Sequence, residues 1–317
     1  MDEPIQEASG HTPVLLKEIA ELLVPALETV SAPVVVDATV GLGGHARVFL
    51  DRMDHGGRLV ALDADPDAIE RARAPLAEGP ARVDLVHANF RELPEVLAAL
   101  GIRHVHVILA DLGVSSMQLA AAGRGFSFRG DGPLDMRMDP RLKTTAADLV
   151  NRLKEKELGD LLYYNAQEYA GRKIARRICE DRREGRITTT GRLALVVSRA
   201  VGVEDPTSRK SKIHPATRTF LALRMAVNEE IANLKSLLAA APSLLAPGGR
   251  IGVISFHSVE DKEVKTDFRA RKSEGLYELV NKKPIIASME ERIANPRSRS
   301  AKLRVAVRLC EPGDALD

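Results

Sequence analysis

The chain has little cysteine, no apolar run long enough to span a bilayer, and almost no net charge. Its two cysteines, Cys179 and Cys310, stand far apart, with no Cys or His at metal spacing beside either. That excludes a disulfide framework and a zinc site, and no metal is expected. No apolar stretch approaches the ~18 residues of a membrane helix. The opening Met1, Asp2 and Glu3 are acidic where an export signal is basic and then apolar, so the chain is expected in the cytoplasm. Internal repeats and low-complexity tracts are absent too. Forty-six Lys and Arg against 44 Asp and Glu leave a net charge of +2, which by itself names no partner.

What is present is 44% apolar residues in 317, enough for one large domain or two ordinary ones. The charge is also unevenly spread. Residues 139–224 carry 19 Lys and Arg against 11 Asp and Glu, a surplus of eight, so the remainder of a +2 chain carries −6. A basic segment in an acidic chain points to a polyanion partner, or else to solvated Arg-rich helices.

Up to Asp111 the pattern alternates between strand and helix. Apolar residues from Val14 to Leu23 recur at helical spacing, with Thr12 as the expected N-cap and Pro13 at the first helical position; the segment before them, to Gly10, is expected to be mobile. Branched runs predict strands over 34–39, 58–64, 83–88 and 105–111, and helices are predicted over 45–52, 66–76 (capped by Asp65) and 91–100. Such an order builds a doubly wound, mostly parallel α/β sheet covered on both faces. The next buried strand, 250–256, comes about 140 residues later, where a crossover needs a dozen or so plus its helix. A segment is therefore inserted. It opens with a glycine-rich loop (123–139) and continues as short helices. On one of these Ala170, Ile174 and Ile178 share a face, and Arg172, Lys173, Arg176 and Arg177 occupy the others. A long amphipathic helix is predicted over 216–245, and residues 302–309 close the sheet antiparallel, with 284–287 as a weak partner.

Three motifs fall at strand ends. VVVDATVGLGGHA (34–46) places Gly41, Gly43 and Gly44 after the first strand, where backbone can approach a ligand. The same turn fits a dinucleotide site, with Asp63 as the ribose-binding acid or, more simply, a helix cap. Asp37 discriminates between the cofactors. Ahead of the turn it repels a pyrophosphate, whereas the sulfonium and ammonium of S-adenosylmethionine favour a carboxylate. ILADLGVSSMQL (108–119) sets Asp111 where amino methyltransferases commonly place Asp, Asn or Ser before Pro-Pro-aromatic. Leu112, Gly113 and Val114 lack that continuation, so Phe126 or Phe128 would have to stack on the target base, unless both merely anchor their loop. SFHSVEDKEVK (255–265) offers His257 for substrate contact or proton handling, or as a structural histidine, with Ser258 or Asp261 as helix caps. NPRSRSAKLRV (295–305) gathers Arg297, Arg299, Lys302 and Arg304 into a basic cluster suited to phosphate.

Together with HTPVLLKE (11–18), RGFSFRGDGPLDMRMD (124–139), HPATRTFLALRMAVNEE (214–230) and LAPGGRIGVISFHSVEDKEVK (245–265), these blocks closely resemble the bacterial ribosomal RNA small-subunit methyltransferase H family, also called MraW. The likeness runs from His11 to Leu309 and is far more specific than a glycine turn. It implies a class I (Rossmann-like) methyltransferase fold with a helical inserted domain, and methyl transfer from S-adenosylmethionine to the N4 amine of a decoding-centre cytidine of 16S rRNA (cytidine 1402), within the small subunit. The implied division is a core over 1–115 and 214–317 with RNA recognition by 116–213. The implied donor site comprises Gly43, Gly44, His45, Asp63, Phe90, Asp111 and Gln118, of which Phe90 and Gln118 rest on the resemblance alone. Met117 departs from the proline common there, which touches no catalytic residue. Rival expectations are a methyltransferase of another amine and an RNA-binding assembly factor without catalysis.

Overall fold

The structure, a computed structural model, describes residues 12–28, 30–203 and 214–310. His11 and the segment to Gly10, expected to be mobile, lie outside the described residues. The branched runs form β1 (Val34–Asp37), β2 (Arg58–Asp63), β3 (Arg82–His87), β4 (Val105–Asp111), β5 (Leu245–Ser255), β6 (Tyr277–Leu279) and β7 (Lys302–Arg308). They make one sheet in the order β3-β2-β1-β4-β5-β7-β6. The first five are parallel, and β7 runs antiparallel to both its neighbours.

Side chains alternate between faces along each strand, so Val35, Leu59 and Val107 enter one core, whereas Val36, Val60 and Ile108 enter the other. Helices α1 (Leu16–Leu23), α2 (Gly44–Leu50) and α3 (Pro66–Leu76) cover the first face, and α4 (Leu93–Ala99) the second. Fully buried side chains such as Phe49, Leu59 and Ile108 each contribute roughly 1.5–3 kcal/mol by leaving water. Asp65 caps α3 as expected, accepting the Asp67 N–H at 3.1 Å. Thr12 does not cap α1. That helix begins at Leu16 behind Leu15 in a left-handed conformation (φ 56°), because the Leu15 N–H is drawn to Glu291 Oε1 at 2.8 Å.

The chain divides into two compact units, one of residues 1–113 and 231–317 and the other of 114–230. The second contains α5 (Ser116–Ala120), α6 (Ala146–Arg152), α7 (Glu155–Ala166), α8 (Gly171–Glu184), α9 (Thr190–Val201) and α10 (Thr217–Val227) around its own apolar core. Residues 214–230, expected in the sheet domain, pack with this helical unit: Ala216, Phe220, Leu223 and Val227 of the α10 stretch belong to its core.

The single helix expected over 216–245 is two, α10 and α11 (Glu230–Leu244). Asn228 breaks it. Its side chain accepts the Met138 N–H and donates to Met136 O, both at 2.7 Å, and Glu229 turns left-handed (φ 51°). These bonds reach some ninety residues back, so apolar spacing alone reads straight through them. After β5 come α12 (Ser258–Ser273) and α13 (Met289–Ala294). The partner of β7 on its outer side is β6, whereas 284–287 supplies only an isolated bridge, Ile285 to Leu303. Among the described residues no helix is long and apolar enough to cross a membrane.

Candidate active site

Three neighbouring parallel strands end on carboxylates: Asp37 closes β1, Asp63 closes β2 and Asp111 closes β4. The chain winds outward from β1 to β3 and then returns to β4, so β1 and β4 flank the switch point at which open α/β sheets bind ligands. Asp37 is 1% exposed. Its Oδ1 accepts the Thr39 N–H at 3.1 Å and its Oδ2 has no hydrogen-bond partner. Burial pushes its pKa up to about 7; His45 and the Thr39 N–H oppose the shift, and Asp111 and Asp63 add to it. Asp63 receives the Gly41 N–H at 3.0 Å and the Asp65 N–H at 2.9 Å, and burial still lifts it to about 6. Each of its oxygens keeps a lone pair for a further donor. Asp111 Oδ1 also lacks a partner, and burial raises this carboxyl to about 7 against the pull of Arg297. Three acids crowded together with two orphaned oxygens call for a cation or for protons.

Gly43 caps α2, and His45 sits buried in that helix's first turn. Its Nε2 lies 2.8 Å from Val14 O, which assigns the hydrogen to Nε2. Nδ1 is then left facing Asp111 Oδ2 at 3.7 Å. Burial lowers the His45 pKa. A strap of residues 12–15 lies against the turn so closely that a Cβ on Gly44 would come within 2.2 Å of Pro13 Cγ. Asn295 Nδ2 donates to Thr12 O at 2.8 Å, and Glu291 takes Leu15, so the strap is fastened from α13 and the turn after it. The partners are 283 and 276 residues apart, and no local pattern announces them.

Phe90 opens a short 3-10 turn directly after β3 and packs half-buried on the second core. Gln118 belongs to the helical unit. Its Oε1 accepts the Ser115 N–H at 2.9 Å in a capping box, which gives it a structural task at the start of α5. His257, and neither Ser258 nor Asp261, caps α12. Its Nε2 is 3.0 Å from Glu260 Oε1 but out of line for a hydrogen bond. Asp261 instead pairs with Arg304 at 2.7 Å and Lys302 at 3.4 Å, so two of the four cations of the expected phosphate cluster share this one carboxylate. Arg297 is the leading cation acting on Asp111, and burial lowers its own pKa. Arg299 is exposed, with Nε directed at Arg292 O.

In the helical unit Ile174 and Ile178 of α8 are fully buried, while Arg172, Lys173 and Arg176 are exposed and Arg177 is half-buried. Arg176 pairs with Glu155 at 3.7 Å and Arg177 with Asp181 at 2.7 Å. Phe126 is buried in that unit's core, so of its two readings the structure favours the anchor. Phe128 is engaged by the His214 ring at 4.4 Å and by Phe220 at 5.0 Å.

The reversed β7 between β5 and β6, with a glycine turn and acidic strand ends at the switch point, defines the class I methyltransferase fold. Within that class the sequence profile of the MraW methylase family matches residues 8–309, and the chain belongs to this family. It is 48% identical over 280 residues to the Ribosomal RNA small subunit methyltransferase H of Koribacter versatilis, covering 86% of this chain and 87% of that protein. With the protein of the same name from Methylobacterium nodulans it shares 46% over 319 residues, covering 95% and 91%. A solved rRNA methylase of Streptococcus thermophilus aligns over 93% of this chain and 94% of its own at 9% identity, with a TM-score of 0.41.

Proposed function

We propose that the chain transfers a methyl group from S-adenosylmethionine to the N4 amine of the decoding-centre cytidine of 16S rRNA, in the cytoplasm and with the small ribosomal subunit as substrate. The observation that carries the donor is the acidic crevice: Asp37 Oδ2 and Asp111 Oδ1 are buried without partners, which suits a cationic ligand and opposes a pyrophosphate. Asp37, the Gly41–Gly43–Gly44 turn, Asp63 and Phe90 are the residues to hold it, with Asp63 offering acceptors to ribose hydroxyls. Once bound, S-adenosylmethionine supplies a methyl group already activated by its sulfonium, so the protein's work is mainly positioning. Asp111 accepts from the target amine and takes its proton as the new bond makes it acidic. Arg297 beside it favours the ionised carboxylate. His257, held at the cap of α12, suits an orienting role. Incubating the chain with labelled donor and unmethylated small subunits, then mapping the label, tests this: a mark on the cytidine N4 is expected, and a mark elsewhere or none refutes it.

The raised carboxyls give two pH dependences of opposite sign. A cationic donor favours ionised Asp37 and Asp111, so its affinity is full above about pH 7 and falls as pH drops through the values near 7 of the free protein. The stability of the ligand-free chain moves the other way. Between the ordinary value of 3.8 and about 7 the folded state binds more protons than the unfolded one. These groups therefore stabilise the fold towards acid, by at most roughly 1.4 kcal/mol per pH unit each, and that stabilisation is lost as pH rises through 7. Asp37→Asn is expected to raise the melting temperature at pH 8 and weaken donor binding at least tenfold. Calorimetry and melts across pH 5–9 check this; a variant that binds donor like the parent would remove Asp37 from the site.

For RNA, affinity is expected to fall with added salt at a log–log slope of roughly −0.7 per contacted phosphate. The double variant Arg172→Ala/Lys173→Ala should flatten that slope by about 1.4. An unchanged slope would take α8 out of the interface.

A further inference from the structure

Three of the chain's four tyrosines crowd together on the surface of the helical unit. Tyr163 and Tyr164 stand on the last turn of α7, 48% and 71% exposed, and Tyr169, 76% exposed, lies in the connection to α8. Their rings form a cluster centred on Tyr163, whose centroid is 5.3 Å from that of Tyr164 and 6.1 Å from that of Tyr169, both edge-on. Such a patch loses stability in water without filling any core, so packing within the unit does not account for it.

Its neighbours are cationic. Gly159 and Gly171 let α7 and α8 approach closely: a Cβ on Gly159 would lie 3.5 Å from Arg172 Cα, and one on Gly171 would lie 3.6 Å from Tyr163 N. The first turn of α8, with Arg172 and Lys173, is thereby set against the end of α7 that bears the tyrosines. Among the described residues neither Arg172 nor Lys173 has an ion-pair partner, whereas Arg176 and Arg177 do. Both cations also sit at the positive end of the helix dipole, with no acid in that turn, where local electrostatics disfavours them. Exposed rings beside unneutralised cations at a disfavoured position match the demands of a flexible, base-bearing polyanion.

We infer that Tyr163, Tyr164 and Tyr169, with Arg172 and Lys173, form a platform for single-stranded RNA, on which unpaired bases stack on Tyr164 and Tyr169 while the cations hold the adjoining phosphates. The inference rests on the rRNA methyltransferase reading and assigns base stacking to residues outside the glycine-rich loop. Paired RNA is excluded from the stacking contact because its base faces are already occupied.

The test uses the full chain and a labelled single-stranded oligonucleotide of decoding-centre sequence. The double variant Tyr164→Ala/Tyr169→Ala should lose affinity by roughly tenfold or more, and the Phe/Phe pair should keep it, because stacking needs the ring and not the hydroxyl. Donor binding measured by calorimetry should be unchanged in both. Since the chain has no tryptophan, tyrosine emission reports directly: RNA should quench it in the parent and much less in the Ala pair. Parent-like RNA affinity in the Ala pair overturns the platform, and labelled-donor methylation of small subunits by the parent then shows the function standing without it. Two other outcomes overturn it as well: altered self-association at unchanged RNA affinity, which assigns the patch to a second copy, and lost binding to subunits but not to naked RNA, which assigns it to a ribosomal protein. A parent that neither binds the oligonucleotide nor methylates subunits removes both readings.

Discussion

Asp111→Ala is expected to cut single-turnover methyl transfer by about 10²–10⁴, the range for losing a positioned proton acceptor, while the melting temperature stays level or rises. The rate falls because the alanine can neither orient the amine nor take its proton. The stability holds because the group removed is a carboxyl that burial has pushed up to about 7, with an Oδ1 that no hydrogen bond satisfies. Above pH 7 its ionised form burdens the fold. Loss of Asp111 does leave Arg297 without its carboxylate, and this limits the gain. Asp111→Asn separates the two tasks, since an amide oxygen still accepts a hydrogen bond but does not take up the proton at neutral pH. An Asn variant intermediate between parent and Ala would assign part of the rate to orientation. Near-parental transfer by the Ala variant, measured with labelled donor at saturation, would remove Asp111 from the chemistry.

Gly125→Ala should destabilise the helical unit by roughly 2–4 kcal/mol, the sum of left-handed strain and forced overpacking. Gly125 has φ 74°, and a Cβ there would meet Pro133 O at 2.4 Å and Asp135 N at 2.7 Å. Both contacts are backbone, in a stretch tied down from two sides: the Arg124 guanidinium donates to Arg137 O and Met138 O, and the Leu134 N–H donates to Thr188 O. Neither neighbour can swing aside as a side-chain tip would. Gly130, five residues along the same loop, is the internal control. A Cβ there meets nothing within 4 Å, and its φ lies outside the left-handed region. Gly130→Ala is therefore expected within about 0.5 kcal/mol of the parent. Urea melts of both variants decide it: equal midpoints would show that the loop yields and that its glycines serve only flexibility.

The contrast between these two glycines marks how far the sequence is legible. Both stand in a loop rich in glycine, and composition treats them alike. At the strand ends the opposite holds. Asp37, Asp63 and Asp111 each follow a branched apolar run, so their place at the carboxyl edge follows from local pattern, as does the sign of charge they present. His257 lay between, visible as a candidate but not as the cap of α12. Phe126 and the tyrosine cluster show the limit plainly. The loop phenylalanine is 7% exposed and Tyr169 is 76% exposed, an order that hydrophobicity alone does not reveal.

By itself the sequence determined the alternating elements of the sheet domain, the antiparallel closing strand, the presence of an insertion, the acidic crevice and the family. All of these are written in residues within a few positions of one another, where side-chain period and turn chemistry act. Only the tertiary structure decided where the helix breaks at Asn228, that Arg297 acts on Asp111, that His45 holds Val14, and that residues 12–15 are strapped down by Glu291 and Asn295. Each of these is a pairing between groups brought together by burial from distant parts of the chain, and burial depends on the whole packed fold at once.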